Sequence, residues 1–511
     1  MNRTLTIASA LMLMATTALA APVETVAPSV GPPTAAVKVS LSGFAASSAV
    51  DIFFDTTDLC LAFTSSAGAA TCTINVPRDA QPKTHYITAL VRGTASGAQK
   101  SFLVRSSMPQ FHGRNGLHNG VNPYENTLNE SNVGSLDVLW TKPIGAAGTT
   151  GSPVTYNGIV YVAGRDGKLY AFNALTGATQ AGFPVVAAAG IFYSTPAVGG
   201  GRVFIGGDDF QLNAYNSANG SAVSGFPQTL GAQVRSPPVL ALGNVYVGCN
   251  DGKVYGFNAT TGAAVVGYPV TAGSVIYAAP TVYDGKLIIG SIDNKIYGFD
   301  ALTGAPLAGY PITTGNYVSS TAAAAGGQGF VGSGDGKLYG FTLATGSANP
   351  GFPVLTGFQI ISSPAVANGK VIVASQDGFV YAIRTNNGAI AWSTAPENGN
   401  PLYGSPMVAN GVVFVTGNQS VHALSLATGQ LLWSAASRVG AFNSPVVTDG
   451  VVYSADYNAL ASGGRLTAYS VFGNAPASRL PGGALGVRPA FSDLKPDYSL
   501  QPVRNQEATP D

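Results

Sequence analysis

An all-β chain carrying an eight-bladed β-propeller is predicted by three features: a period of about 42 residues, short apolar strands within it, and glycine turns between them. The block recurs eight times between Gly151 and Gly473. Each copy opens with an apolar strand often marked Ser-Pro and passes through a second strand into an Asp-Gly turn. It then continues through a strand such as Leu169-Tyr170-Ala171-Phe172 into a Thr-Gly turn. The markers are Pro153, Pro196, Pro237, Pro280, Thr321, Pro364, Pro406 and Pro445, separated by 43, 41, 43, 41, 43, 42 and 39 residues. An outer strand follows each of the first seven copies, as at Gly182-Phe183-Pro184, Gly267-Tyr268-Pro269, Ala391-Trp392 and Leu432-Trp433. The eighth copy ends at Tyr469 to Gly473 without one. Leu136-Asp137-Val138-Leu139-Trp140-Thr141, ahead of the first copy, reads as the missing strand. It is expected to complete the last blade and leave the ring no open sheet edge.

The elements ahead of the ring follow in order. Residues 1–20 read as a Sec-type signal peptide: Arg3 is the positive start, Leu5 to Leu19 is apolar, and Ala18-Leu19-Ala20 is a small-residue cleavage site. No cysteine follows the cut, so the chain is not read as a lipoprotein. No later run approaches the ~18 apolar residues that span a bilayer. The mature protein is expected in a periplasm or outside the cell. Residues 21–36 are Pro/Ala/Val-rich and read as a linker. From 37 to 106, strands such as Val50-Asp51-Ile52-Phe53 and His85-Tyr86-Ile87-Thr88-Ala89 alternate with period two, as in a β-sandwich.

Within that sandwich Cys60 and Cys72 flank the turn Ser65-Ser66-Ala67-Gly68, where a hairpin would bring them face to face as a disulfide. A loop of this length contributes about 2–3 kcal/mol when closed. Residues 107–135 read as a connector, 136–473 as the propeller, and 474–511 as a disordered tail rich in Pro, Gly and charge. Cys249 falls where neighbouring copies carry Ser291 and Ser333, and is expected to be a small buried side chain.

Composition bounds the function. Hydrophobic residues are 46% of the 511 and charged residues only 10%, with 65 glycines, which suits an all-β chain of many tight turns. Lys+Arg total 25 against 24 Asp+Glu, so no basic excess is present to neutralise phosphates, and nucleic acid is not expected as a partner. Asp166-Gly167, Asp209, Asp251-Gly252, Asp293-Asn294, Asp335-Gly336 and Asp377-Gly378 recur once per copy. They read as hairpin turns; a calcium loop needs several oxygens close together, and only Asp208-Asp209 comes near. His112 and His118 stand six apart in a Gly/Asn-rich loop, a spacing compatible with a shared metal, though a surface loop is the simpler reading. His422 reads as a packed or rim side chain on its strand. No hydrolase motif or triad appears.

Ala423-Leu424-Ser425-Leu426-Ala427-Thr428-Gly429-Gln430-Leu431-Leu432-Trp433 resembles the tryptophan-docking motif of PQQ-like, quinoprotein-type propellers, and Ala382 to Trp392 is a looser copy. The segment from Phe111-His112-Gly113 to Gly120-Val121-Asn122-Pro123 resembles the lead-in of the same family. Gly43-Phe44-Ala45 with Val76-Pro77 resembles the immunoglobulin-like modules of bacterial secreted proteins. The propeller resemblance implies that the motif's aromatic packs between blades. Catalytic members hold PQQ with a calcium ion on Glu, Asn and Asp, a catalytic Asp, two adjacent cysteines and a tryptophan floor. Here no cysteines are adjacent, Trp140, Trp392 and Trp433 all fall at docking positions, and no glutamate occurs between Glu130 and Glu397. Neither PQQ nor calcium is therefore expected.

Non-catalytic members resemble the scaffold lipoprotein of the outer-membrane barrel-assembly machine; this chain lacks the lipid-accepting cysteine and adds a sandwich. The expectation is a monomeric exported scaffold that binds a protein or a cell-surface polymer. The alternative is a PQQ-dependent dehydrogenase. The candidate binding surface is the set just before the markers: Tyr193, Arg235, Tyr277, Tyr317, Gln359, Tyr403 and Phe442, rich in aromatics with polar tips.

Overall fold

The computed structural model describes residues 21–503 apart from 115, 146–147, 187–193, 437–442, 457–462 and 474–485. The predicted leader lies outside the described residues. The chain divides into two compact units.

The smaller unit holds two sheets. One has three strands, Val23–Ala27, Ala36–Ser42 and Ala70–Asn75. The other has six, in the order Val30–Gly31, Gly97–Val104, Thr84–Val91, Ala49–Phe54, Thr57–Phe63 and Pro502–Val503. Period-2 alternation turns Val37, Val39, Ile52 and Phe102 inward, each 0% exposed, while Phe53, next to Ile52 and so on the opposite face, is buried with Leu90 and Leu494. Three expectations are corrected here. Residues 21–36 are not a linker: they supply a strand to each sheet. Their pattern was hidden because the first strand turns a carboxylate inward, Glu24, which burial pushes up to about 8. Cys60 and Cys72 do form a disulfide, but they lie on strands of different sheets, so the bridge staples sheet to sheet instead of closing a hairpin. The tail is not wholly disordered. Leu494 packs against Phe53 and Leu90, the Asp497 amide donates to Asp58 (2.8 Å), and Pro502–Val503 pairs with Leu61 and Ala62.

The larger unit is a run of eight sheets among its described residues, each of four antiparallel strands, the seventh extended by Val121–Asn122 pairing parallel to its innermost strand. The first is Val154–Tyr156, Ile159–Ala163, Lys168–Asn173 and Val185–Val186. The eighth is Val446–Thr448, Val451–Ala455 and Arg465–Ser470, with Asp137–Pro143 from before the first sheet as its outer strand. Innermost strands begin at 154, 197, 239, 281, 323, 365, 407 and 446, so the steps are 43, 42, 42, 42, 42, 42 and 39. The equivalents of Pro196 are thus Pro238 and Ala322, one residue after the sequence markers in those copies. Strand register, not residue identity, fixes the repeat.

Tryptophan docking has a simple geometry. Trp140, Trp392 and Trp433 stand opposite Ala468, Ala382 and Ala423, each beside a register shift, and the small partner leaves room for the indole. Each indole N–H donates to a main-chain carbonyl of the adjoining sheet: Trp140 to Ala174 (3.1 Å), Trp392 to Leu426 (3.1 Å) and Trp433 to Leu136 (2.9 Å). In the Gly-Tyr-Pro copies the Tyr268 and Tyr310 hydroxyls do the same, to Asp300 and Leu343 at 3.3 and 3.1 Å.

The ring is tied on its inner side by a girdle. Two residues before each innermost strand, a main-chain amide donates to the hydroxyl of the equivalent residue in the next sheet. The bonds are Ser152 to Thr195 (2.8 Å), Ala279 to Thr321 (2.9 Å), Thr321 to Ser363 (3.0 Å), Ser363 to Ser405 (2.8 Å), Ser405 to Ser444 (3.0 Å) and Ser444 to Ser152 (2.9 Å). The last joins the eighth sheet to the first. Pro237 has no amide and no hydroxyl, so it interrupts two links. One position earlier, the Ser194 hydroxyl donates to the Ser236 carbonyl (3.0 Å) and Ser236 to that of Ala278 (2.7 Å), bridging both gaps.

Trp140 carries the N-terminal strand into the eighth sheet and is 8% exposed, packed on Phe172 and Tyr453. Trp140→Ala is expected to destabilise the ring by roughly 3–5 kcal/mol, read as a lower midpoint in urea unfolding of the full chain. An unchanged midpoint would show that this strand does not hold the ring closed.

Candidate functional site

The segment read as a connector is a strap along the inside of the ring. Between residues 108 and 122 it makes a hydrogen bond to each sheet in turn. Main-chain carbonyls or the Gln110 side chain accept the amides of Thr155, Val198, Leu240, Val282, Ala324, Val366 and Val408, and Asn122 donates to the Val447 carbonyl (2.9 Å). These eight residues are equivalent positions of the innermost strands. The approach is close: a Cβ on Gly120, at φ +65°, would lie 2.5 Å from the Ala365 Cβ. His112 and His118 belong to this strap and are not on a surface loop, being 5% and 0% exposed. Each donates a ring N–H to a main-chain carbonyl, His112 to Pro406 (2.5 Å) and His118 to Phe111. Burial pushes both imidazoles down to about 4. Among the described residues no group of three His, Cys, Asp or Glu side chains is placed to hold a metal.

Next to the strap lies a cavity of about 520 Å³. Phe111 of the strap lines it, as do the girdle hydroxyls of Ser152, Thr195, Thr321, Ser363 and Ser405. Four of the seven candidate residues meet there: Arg235, Tyr277, Tyr317 and Tyr403. Arg235, Tyr277 and Tyr403 share one tier with Thr150, Ser319 and Ile361, three residues before the corrected markers. Tyr317 lies two residues further back, level in its repeat with Gln359, and its hydroxyl donates to the Gln359 side chain (2.8 Å). Gln359 therefore orients a lining residue without lining the cavity itself. Tyr193 and Phe442 fall outside the described residues. Arg235 is held bidentately by Asp208, both contacts 2.8 Å. Sequence reasoning missed Phe111 and the hydroxyls. Their signal was present, because the Ser of the Ser-Pro marker is the girdle residue.

The recurring aspartates act as latches as well as turns. In five sheets the tyrosine four residues on donates its hydroxyl to the carboxylate: Tyr170 to Asp166 (2.7 Å), Tyr255 to Asp251 (2.7 Å), Tyr297 to Asp293 (2.6 Å), Tyr339 to Asp335 (2.6 Å) and Tyr381 to Asp377 (2.7 Å). Burial, reinforced by that carboxylate, pushes the Tyr339 and Tyr381 phenols up to about 12. The seventh sheet has Asn418 and His422 at these positions, and Glu397 brings in the carboxylate. It accepts the Asn418 and Gln419 amides at 2.8 and 3.1 Å and stands 3.1 Å from His422 Nε2. His422 Nδ1 is 2.8 Å from the Ser434 hydroxyl. This line of serine, imidazole and carboxylate, which the sequence did not reveal, repeats the latch and does not line the cavity. Cys249 is buried as expected, its thiol pushed up to about 11 by desolvation.

A family model described as the outer membrane protein assembly factor BamB matches residues 131–278, 313–405 and 397–474. No curated protein matches the sequence. Among solved structures, BamB from Moraxella catarrhalis is 19% identical and superposes with a TM-score of 0.54, covering 66% of this chain and 97% of its own. Quinohemoprotein alcohol dehydrogenase from Comamonas testosteroni is 14% identical, with a TM-score of 0.61 over 72% of this chain and 81% of its own. A europium-containing methanol dehydrogenase is 12% identical, with a TM-score of 0.55 over 71% and 98%. At such identities the likeness is one of fold.

Two outcomes follow from the buried polar groups. With folded values near 4 against an ordinary 6.5, His112 and His118 contribute stability that is present above pH 6.5 and lost as pH falls toward 4. The urea midpoint of the ring should therefore drop across that window, and a flat profile would contradict the buried neutral imidazoles. Tyr339→Phe removes a latch hydrogen bond to a carboxylate and should cost about 1.5–3 kcal/mol. Calorimetry of the variant checks this, and an unchanged transition would mean the latch is dispensable.

Proposed function

The chain belongs to the PQQ-like β-propeller family whose model is that of the assembly factor BamB, and from that premise we propose an exported, monomeric, non-enzymatic binding platform. It captures a protein or a surface polymer at the aromatic cavity of the ring, and the sandwich serves as an immunoglobulin-like accessory module. The observation that carries this reading is the cavity itself, where Tyr277, 41% exposed, joins Tyr317, Tyr403 and Phe111 around neutral hydroxyls. The disulfide fits an oxidising compartment. No helix among the described residues is long and apolar enough to cross a membrane.

A second reading, a PQQ-dependent dehydrogenase, is favoured by the fold likeness to the quinohemoprotein enzyme. The residues present do not fit that group. The described lining of the cavity has no carboxylate side chain for a calcium ion, and all three tryptophans are bonded into sheet interfaces. Titration with PQQ and calcium separates the readings. The platform predicts no change in the ultraviolet spectrum beyond that of the free cofactor and no dye-linked alcohol oxidation. A stoichiometric spectral shift with turnover would overturn it.

A further inference from the structure

The cavity has a chemistry that narrows its ligand. Its volume of about 520 Å³ lies within the ~300–1,000 Å³ of small-molecule sites, and the strap residue Phe111 forms part of its wall. Arg235 is the one charged side chain among the described lining residues, and Asp208 neutralises it through two 2.8 Å contacts. Among the described lining residues an anionic ligand finds no uncompensated cation, and a cation finds no carboxylate. The remaining polar side chains of the described lining are all hydroxyls, five of them from the girdle. Ser152, Thr195, Thr321, Ser363 and Ser405 each accept a main-chain amide of the girdle. Among the described residues their own O–H protons have no protein acceptor, so each remains a donor toward the cavity. Three tyrosines and a phenylalanine add flat apolar faces beside them.

A ligand that is uncharged, oxygen-rich on its perimeter and apolar on its faces meets all of these demands together. We propose that the cavity binds the end of a neutral saccharide chain, its ring hydroxyls accepting from the girdle and its C–H face resting on Tyr277 and Tyr403. The inference rests on the binding-platform reading and specifies the ligand class of that platform.

The test uses the full chain and isothermal titration with three neutral trisaccharides, maltotriose, cellotriose and chitotriose. Trigalacturonate and trialanine serve as the acidic and peptide counterparts. At least one neutral sugar is expected to bind at micromolar to millimolar concentration, with trigalacturonate and trialanine at least tenfold weaker. Tyr277→Ala and Tyr403→Ala should each weaken the sugar at least tenfold, while Tyr277→Phe, which keeps the ring, changes it less than threefold. Saturation-transfer NMR on the parent protein gives a readout independent of the variants, with magnetisation expected on the sugar's C–H face. Silence from all three neutral sugars, a preference for trigalacturonate or trialanine, or full affinity in a folded Tyr277→Ala variant would overturn the proposal. A trialanine preference leaves the platform reading standing, whereas PQQ bound in place of sugar removes both.

Discussion

Closing a ring of sheets leaves the main-chain amides that face the channel without strand partners, and satisfying them is the constraint around which the rest of the larger unit is arranged. A buried amide without a partner costs about 1–3 kcal/mol, more than the 0.5–1.5 kcal/mol a made bond contributes. Six such amides are met by hydroxyls of the next sheet, and two serine-to-carbonyl bonds cover the gaps at Pro237. The Ser-Pro marker follows from this. Serine supplies the acceptor for its neighbour, and the proline after it brings no further amide that needs a partner.

The strap solves the same problem further along the innermost strands, at Thr155, Val366 and Val408 after the girdle residues Ser152, Ser363 and Ser405. Innermost strands have a free edge toward the channel, and the strap satisfies one group on each. Its close approach explains Gly120, where a side chain would strike Ala365 and His112. The cost is two buried imidazoles that must stay neutral. The benefit for function is that the strap leaves a lined cavity beside it, with Phe111 in its wall and the girdle hydroxyls facing in.

Away from the channel two devices recur, a latch within the sheet and an aromatic docked onto the adjoining sheet. The Asp–Tyr latch recurs in five sheets, and in the seventh a glutamate from another segment and a histidine perform the same task. Where tryptophan docks, alanine faces it; where Gly-Tyr-Pro replaces tryptophan, the tyrosine hydroxyl reaches the neighbouring main chain. At the docking positions different side chains thus give one geometry, because each places a donor against a main-chain carbonyl of the adjoining sheet.

How much of this was legible depends on sequence distance. Period, strand alternation and the orphan strand at Trp140 are local patterns, so they determined the all-β class, the repeat and the swapped outer strand before any coordinates. Arg235, Tyr277 and Tyr403 come together at the cavity because they hold one offset from their innermost strands, and Tyr317 reaches it from two residues further back in its repeat. The tertiary structure alone decided what spans distance. Cys60 and Cys72 bridge sheets, residues 21–36 and 486–503 return to the sandwich, and Glu397 reaches His422. It also decided that His112 and His118 are buried and that the Ser-Pro serines line a cavity. Composition describes a residue's preferences, but burial and partnership depend on which other segment arrives beside it, and here that segment lies up to hundreds of residues away.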